Sequence, residues 1–467
     1  MNQVAHPEFF TPKHVSAIRN EASYDRAHVE QMVRDALAAL ALPADFIRPG
    51  DHVVLKPNWI RQCDERHPEP DHWEHVITHP AVIEAVARWT AEHLDGRGAV
   101  TLCDAPQTDS SFDTIRAYCR LDEMIARLKD AHPGVDFALL DLRPEEWKTV
   151  DGITVSKRTL AGDPRGGTRV ALNEASEFVG FHGQGKLYGA SYDMAETNRR
   201  HSGATHEYLL CRTPMDADVL INIPKLKTHK KVGVTCALKN LVGINADKNW
   251  LPHHTEGTPD RGGDQFPANT AKAKLEHTWM GAAKRWFQGK PALSWMLVPL
   301  KKAGRPFFGD TQKVVRSGNW HGNDTCWRMV LDLNKCLFYF DGAGRRRARP
   351  LRYLAIVDGI VGGEGNGPMA PDPVACGVIL AGTHPAAVDS AAAVLMGFDP
   401  ARIRLLTGAF HMDELNFVPF TRGDIRVSSN HEPWNGPLDN LTDPFAFRPH
   451  FGWIGAIERH PPSTINH

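Results

Sequence analysis

The feature that most constrains the fold is a short apolar run that recurs along the chain and ends each time in polar residues. These runs are rich in β-branched residues and flanked by turn residues, a pattern typical of strands buried on both faces. Such strands occur in parallel or mixed sheets that helices cover. The six runs are DHVVLKPN (51–58), AVTLCDAP (99–106), DFALLD (136–141), ADVLINIPK (217–225), LAIVDG (354–359) and GVILAGTHP (377–385).

Two amphipathic segments between these runs predict helices, at Pro80–Leu94 and Pro385–Met396. Each opens with the tetrapeptide Thr-His-Pro-Ala, in which a polar residue precedes a proline of the first turn. That order signals the start of a helix, so we predict that His79 and His384 are capping residues. The alternation of strands and helices predicts an α/β fold, with a doubly wound, mostly parallel sheet and helices on both faces.

The pattern also predicts how the chain is divided. We expect residues 1–267 and 331–425 to form two parts of one α/β body, with a helical insertion or lid at 268–330. Residues 270–304 of this insertion have the apolar spacing of one or two helices. Residues 426–467 are rich in Pro, Asn, Trp and His and predict an irregular tail. The apolar anchors of the insertion are Leu275, Trp279, Trp286, Leu293 and Leu297.

Composition limits the partners and the compartment. The 467 residues carry a formal net charge of −1, which gives no general attraction to nucleic acid or to anionic lipid. The first residues do not resemble a signal peptide, and no apolar stretch approaches the roughly 18 residues of a membrane helix. The eight cysteines form no C-x-x-C pair, so we expect no iron–sulfur cluster and a reducing, cytoplasmic location. Oligomeric state stays open.

The segment from Asn222 to Asn240 carries five lysines, and no acidic residue occurs between Asp218 and Asp247. This excess of ammonium groups needs a counter-charge, which a phosphate or carboxylate ligand would supply. Ligands of open α/β sheets bind beyond the carboxyl ends of the strands, where this segment begins. The sequence therefore predicts an anion-binding cleft, with a solvated basic loop as the alternative.

Polar residues that follow the other predicted strands complete the candidate site. A glycine-rich loop, Asp358 to Pro368, allows close approach of the backbone to a ligand and carries carboxylates that could act as bases or hold a cation. We predict catalytic roles for His229, Lys239, Asp358 and Glu364. The predicted substrate-binding residues are Lys56, Asn58, Asp104, Lys225, Lys227, Thr228, Asn240, Asn366 and Arg199.

Two further patterns admit other interpretations. His253, His254 and Asp264 are candidate ligands of a divalent metal, although adjacent histidines of an extended chain point to opposite faces. Arg328 and Asp332 lie four residues apart on a predicted helix and have the spacing of a surface ion pair.

Taken together, these motifs resemble the domain-of-unknown-function 362 family over roughly residues 50 to 400. The blocks around Trp250–His254 and Gly318–Asp332 make the chain most similar to a long variant found beside surface-polysaccharide genes. The chain lacks the cysteines of the ferredoxin-like module that many relatives carry, so the resemblance implies no iron–sulfur role. It supports the fold and the position of the site, and names no reaction. The matching residues are Lys56–Asn58, Asp104–Pro106, Asn222–His229, Leu238–Gly243, Asp358 with Glu364–Pro368, and Ala387–Asp389.

Three functional hypotheses follow. The first is an enzyme that acts on a small anionic metabolite, such as a phosphorylated or carboxylated sugar, with Lys227 and Lys239 on the anion and His229 as acid or base. The second is a sensor or carrier that binds the same ligand without turnover. The third is a metal-dependent redox or transfer protein that uses the histidine ligands. No cofactor is assigned, and a divalent metal is compatible with the sequence.

Overall fold

The structure is a computed structural model that describes residues 7–67, 69, 71–150, 153–190, 193–268 and 314–459. The helices predicted between residues 270 and 304, with their five apolar anchors, lie outside the described residues. The helices of the described part are α1 (Arg26–Leu40), α2 (Pro80–Leu94), α3 (Phe112–Tyr118), α4 (Leu121–Ala131), α5 (Met194–Arg200), α6 (Arg212–Met215), α7 (Ala237–Asn240), α8 (Cys326–Tyr339), α9 (Pro385–Leu395) and α10 (Arg404–Ala409).

The strands of the described part are short, apart from two long partners near the end of the chain. All six predicted runs form strands. The sheet buries five of them on both faces, whereas β4, at its edge, alternates between buried and exposed residues and corrects the expectation of burial on two faces. The strands are β1 (His14–Arg19), β2 (His52–Pro57), β3 (Gly98–Asp104), β4 (Val135–Asp141), β5 (Glu145–Val150), β6 (Ile153–Thr159), β7 (Gly167–Ala171), β8 (Leu187–Gly189), β9 (His201–Ser202), β10 (Thr205–Cys211), β11 (Val219–Ile223), β12 (Lys225–His229), β13 (Gly233–Thr235), β14 (Pro252–Thr255), β15 (Arg352–Asn366), β16 (Ala370–Gly382), β17 (Arg426–Ser429) and β18 (Gly436–Pro437).

An eleven-stranded central sheet organises the molecule, with the order β18-β17-β1-β16-β15-β11-β2-β3-β4. The neighbours from β15 to β4 are parallel, and β16 pairs antiparallel with both β15 and β1. Strand β12 extends the sheet beside β15 and pairs with β13. The predicted tail contributes β17, which pairs with β1, so it begins as part of the sheet.

Helices cover both faces of this sheet, which confirms the predicted doubly wound α/β architecture. Successive residues of a strand point to opposite faces. Val219 and Ile221 therefore pack in one core with residues of α1 and α2, whereas Leu220 packs in the other with residues of α8 and α9.

The order of the strands defines where a ligand site is expected. From β2 the chain continues to β3 and then to β4, moving outward on one side, and β11 joins β2 on the other side. The carboxyl ends of β2 and β11 therefore flank a switch point, the usual ligand crevice of open α/β sheets.

The two histidines of the repeated tetrapeptide cap helices, as predicted. His79 Nδ1 accepts a hydrogen bond from the backbone N–H of Ala81 at 3.1 Å, at the start of α2. His384 Nδ1 accepts from the backbone N–H of Ala386 at 3.2 Å, at the start of α9. Each satisfies one N–H group that a helix start otherwise leaves unpaired.

The structure corrects the predicted surface pair between Arg328 and Asp332. Asp332 is fully buried and accepts hydrogen bonds from Ser176 Oγ at 2.5 Å and Tyr208 Oη at 2.9 Å. Arg328 instead contacts Asp324 at 3.1 Å. The helical spacing was correct, but Asp332 lies on the buried face of α8, where hydrogen bonds must replace water.

All eight cysteines are buried and free. Within the described residues, every helix is too short or too polar to cross a lipid bilayer.

The buried histidines make stability depend on pH. Burial lowers the pKa of His201 and of His384 to about 3. The unfolded chain takes up protons at both groups below pH 6.5 and the folded chain does not, so the contribution of these two histidines to the free energy of unfolding decreases as the pH falls from about 6.5 toward 4. Each histidine contributes a slope of at most about 1.4 kcal/mol per pH unit. Urea unfolding between pH 7 and pH 4.5 measures this loss.

The His384→Asn variant is the matched control for that measurement. Asparagine can still cap α9 but does not titrate in this range. We expect a lower stability at pH 7 and a smaller loss on acidification. A loss equal to that of the unchanged protein would contradict the role of His384.

Candidate functional site

A buried ion pair joins the carboxyl ends of β2 and β3. Lys56 Nζ lies 2.8 Å from Asp104 Oδ1, and the two side chains are 1% and 3% exposed. The carboxylate also accepts from the backbone N–H of Trp59 at 2.8 Å and of Ala105 at 2.9 Å. Both charges are thereby compensated, which burial at this depth requires.

Asn240, at the end of α7, connects this pair to the neighbouring strands. Its Oδ1 accepts from Lys56 Nζ at 3.2 Å and from Asn58 Nδ2 at 2.8 Å. Its Nδ2 donates to Asn222 Oδ1 at 2.7 Å. Asn222 in turn donates to Tyr353 Oη at 2.8 Å. One amide therefore fixes α7 across the ends of β2 and β11, at the switch point.

Lys227 extends this network without a carboxylate. Its ammonium donates to Asn58 Oδ1 at 2.7 Å and to the backbone carbonyl of Val76. The side chain is fully buried. Burial, together with the charges of Lys225 and Lys239, holds the pKa of Lys227 well below its usual value. Lys227 is therefore a structural donor beneath the site rather than an accessible anion ligand.

A second buried ion pair fixes β12 against β15. Lys225 Nζ lies 2.6 Å from Asp358 Oδ2, and neither side chain reaches solvent. Tyr24 Oη donates to the same carboxylate at 2.9 Å, and the backbone N–H of His79 donates at 2.8 Å. Asp358 was predicted as a base, but these bonds occupy both of its oxygens, and it holds the strands together.

Five basic residues at the end of β12 and around it form what we call the basic cluster. After burial, the four other members are what lowers the pKa of the His229 imidazole, so they lie within electrostatic range of it. The predicted segment is buried from Lys225 to His229, so the alternative of a solvated loop is wrong. The cluster consists of His229, Lys230, Lys231, Lys239 and His253.

Two lysines of the basic cluster are unpaired. Among the described residues, neither Lys230 Nζ nor Lys239 Nζ has a hydrogen-bond or ion-pair partner. The side chain of Lys239 is 8% exposed. Burial lowers the pKa of each ammonium. Lys231 differs, because it donates to the carbonyl of Ser317, and burial lowers its pKa to about 8.

The two imidazoles of the cluster are neutral, and they differ in whether Nε2 is a hydrogen-bond donor or an acceptor. Burial and the charge of Lys239 hold the pKa of His229 and of His253 well below 6.5. His229 Nδ1 accepts from the backbone N–H of Lys231 at 3.0 Å, so its proton lies on Nε2. His253 Nδ1 lies 2.9 Å from the carbonyl of Leu251 and must donate to it, which leaves Nε2 as an acceptor.

Two residues outside the cluster hold α7 in place. Asp389 of α9 accepts from the backbone N–H groups of Ala237 at 2.6 Å and Leu238 at 3.0 Å. Burial raises the pKa of Asp389 to about 7, and these two bonds oppose that rise. Gly243 follows α7, and a Cβ there would lie 1.9 Å from Asp104 Oδ1. The short segment that carries Lys239 is thus fixed at both ends.

Several predicted residues lie outside this arrangement. Glu364 accepts from Arg448 Nε at 2.7 Å, at the rim of the sheet, and is not joined to the basic cluster. Arg199 is 67% exposed and pairs with Glu196 on its own helix. The predicted glycine-rich loop is mostly strand, because β15 continues to Asn366 and pairs with β16. Thr228 Oγ1 donates to the carbonyl of Gly365 at 2.9 Å, which attaches β12 to this part of β15. Asn366 ends β15 opposite Ala370.

The structure also corrects the predicted metal ligands. Both oxygens of Asp264 accept hydrogen bonds, from the backbone N–H of Thr255 at 2.7 Å and from Thr325 Oγ1 at 2.6 Å. The ring of His254 stacks on Tyr188 with a centroid separation of 4.7 Å, while His253 faces the basic cluster. The three side chains therefore do not form a ligand group in the described residues.

Three residues of the buried hydrogen-bond network were not predicted as site residues from the sequence. Tyr24 bridges Lys225 and Asp358, and Lys248 donates to the carbonyl of Ala105 at 2.9 Å. No pattern in the neighbouring residues indicates these contacts, because the partners of both side chains are distant in sequence. Asn222 had a signal, since an asparagine inside the apolar run VLINI must find hydrogen bonds when the strand is buried.

This is a mostly parallel α/β protein with a basic cluster at the switch point of its sheet. The model of the domain of unknown function DUF362 matches residues 166–394, a range that contains β11, β12, α7 and all but the last residue of α9. The chain matches this family over just under half of its length, which confirms the predicted resemblance.

A thylakoid-associated protein of Synechocystis sp. is 23% identical over 397 residues, 84% of this chain and 77% of that protein. Two solved structures show a more distant likeness. A Thermotoga maritima protein has a TM-score of 0.31 at 11% identity and covers 76% of this chain. Lactate racemase apoprotein from Thermoanaerobacterium thermosaccharolyticum has a TM-score of 0.26 at 12% identity and covers 73%. The matched regions span 55% and 50% of those two chains, and neither likeness bears on function.

Gly243 provides a test of the buried network. An alanine methyl group would overlap Asp104 Oδ1 and lie 2.6 Å from Lys56 Nζ, so Gly243→Ala must separate a buried ion pair. We expect a loss of about 3 kcal/mol in the free energy of unfolding, measured with urea. Gly423→Ala is the matched control, because its new methyl group would meet nothing closer than 3.9 Å. Equal losses in the two variants would contradict the importance of the pair.

Proposed function

We propose that this protein is an enzyme that binds a small anionic metabolite at the basic cluster and transfers a proton to or from it. The observation that carries the proposal is the buried ammonium of Lys239, which has no partner among the described residues. A phosphorylated or carboxylated compound, including a sugar derivative, would supply the missing counter-charge.

The balance of charge in the basic cluster supports an anion, rather than a cation, as its ligand. Lys230 and Lys239 have no hydrogen-bond or ion-pair partner in the described part of the chain, and burial disfavours the charge of each. The charges of Glu65 and Asp109 act on Lys230 but leave its pKa lowered. Asp104 and Asp358 are already paired with Lys56 and Lys225. An anion would bring the compensation that neither carboxylate can give, and such charge-assisted hydrogen bonds are strong.

The two neutral histidines support proton transfer. His229 can donate its Nε2 proton in a hydrogen bond to an oxygen of the ligand, and His253 can accept a proton at Nε2. The ammonium of Lys239 would stabilise negative charge that develops on the ligand. Lys227, predicted to contact the anion, takes a supporting role below these groups.

A sensor that binds the same anion without turnover is the alternative, and only catalysis separates the two. We also propose that the protein works in a reducing compartment such as the cytoplasm, because its eight cysteines are free.

Lys239→Met tests the binding step. The variant removes a buried unpaired charge, so we expect the ligand-free protein to keep or slightly gain stability. The thermal shift produced by sugar phosphates, inorganic phosphate or sugar carboxylates should disappear. Lys129→Met, at an exposed position of α4, should retain the full shift. Equal shifts in both variants would contradict an anion site at Lys239.

The pH dependence gives a second outcome of the same experiment. An anion favours the charged form of Lys239, so binding raises the pKa of that amine. Affinity should therefore decrease as the pH rises above the lowered pKa of the ligand-free protein.

Proton transfer is tested by following exchange with solvent. Compounds that cause a thermal shift are incubated with the protein in deuterium oxide, and loss of a carbon-bound proton signal is followed by NMR. We expect exchange with the unchanged protein and with His182→Gln, which alters an exposed histidine, and at least about a hundredfold less with His253→Gln. Binding without exchange or product formation would favour the sensor.

A further inference from the structure

A group of side chains outside the basic cluster has the composition of a metal site. One ligand atom each of His67, Glu69 and His72 lies within 4.8 Å of the others. In the described ranges of the chain, this is the single group of three that meets this condition. All three side chains are exposed, so an ion could reach them.

The backbone brings the two histidines together across a turn. The N–H of His67 donates to the carbonyl of Asp64 at 3.0 Å, and the N–H of His72 donates to the carbonyl of Glu69 at 3.3 Å. The N–H of Asp64 donates to the carbonyl of His72 at 2.8 Å, which closes the loop. The imidazole centroids are consequently 4.8 Å apart.

The base of this loop is attached to the body of the protein by an ion pair and a backbone hydrogen bond. Asp64 is 1% exposed and pairs with Arg66 Nη2 at 2.6 Å. Arg66 also reaches Asp372 at 2.8 Å, and the backbone N–H of Glu65 donates to the carbonyl of Met369 at 2.9 Å. Because the loop is tied to the β15–β16 hairpin, the two histidines have a fixed support.

We propose that His67, Glu69 and His72 bind one divalent transition metal ion of the zinc class. Two imidazoles and one carboxylate are ligands that zinc accepts, whereas calcium and magnesium prefer oxygen ligands. Tetrahedral coordination places ligand atoms about 3.4 Å apart. Rotation of three exposed side chains can close the remaining gap, and solvent can fill the fourth position.

The loop that would hold the ion is joined at both ends to the buried hydrogen-bond network. The loop connects Asn58 to Val76, and both of these residues accept hydrogen bonds from Lys227. An ion at the tip would therefore restrain a loop whose two ends lie in the buried network. Because the ligands differ from the basic cluster, ion binding and anion binding can be tested separately.

The test uses the full chain without an affinity tag, because added histidines would bind zinc themselves. Isothermal titration with zinc chloride measures the affinity and the number of ions per chain. We expect one ion whose affinity falls at least about tenfold in His67→Ala, in His72→Ala and in Glu69→Gln. His182→Ala, at an exposed histidine outside the group, should bind as the unchanged protein does.

Circular dichroism verifies that each variant is folded, which the exposure of all three positions leads us to expect. Calcium and magnesium chloride should produce no binding at these residues. Zinc binding that is absent in the unchanged protein, or that persists in the double variant His67→Ala/His72→Ala, would overturn the proposal.

Discussion

The buried pair of Lys56 and Asp104 is the interaction on which the rest of the site depends. Two charges almost without access to water are tolerated only when the remaining hydrogen-bonding capacity of both is filled. Asn240 fills part of that capacity, and it can do so only if α7 lies across the end of β2. The position of Lys239, one residue earlier, is thus set by an ion pair in which it takes no part.

The lysines of this region differ in role although the sequence presents them alike. Lys225 is held by a carboxylate, and Lys227 is held by an amide and a carbonyl oxygen. Both are part of the framework, and losing either would leave buried acceptors without a donor. Lys239 has no such partner among the described residues, so its burial carries a cost that the fold does not offset. An uncompensated cost of this kind is typical of functional sites.

Six strands of the central sheet were predictable because each is an apolar run bounded by turn residues. The helix caps were predictable because Thr-His-Pro-Ala contains both the cap and the proline that follows it. The pairing of the lysines was not predictable. Lys225 and Asp358 are separated by 133 positions, and nothing in either segment indicates which carboxylate meets which ammonium. The sequence therefore identified the lysine-rich segment at the carboxyl ends of the strands, but not which of its lysines are held by buried partners.

The contacts of Glu364 show that a carboxylate in a glycine-rich segment can serve structure and need not mark a functional site. Arg448, from the predicted irregular tail, contacts Glu364 at 2.7 Å and Asp372 at 2.5 Å. Asp372 also meets Arg66, so one chain of alternating charges joins the tail, the β15–β16 hairpin and the loop after β2. Single exposed ion pairs contribute little to stability, but a shared network orients three segments at once. The glycine-rich segment at the end of β15 is thereby a junction at the rim of the sheet, and its charges serve attachment. In the basic cluster, by contrast, the ammonium of Lys239 has no partner among the described residues.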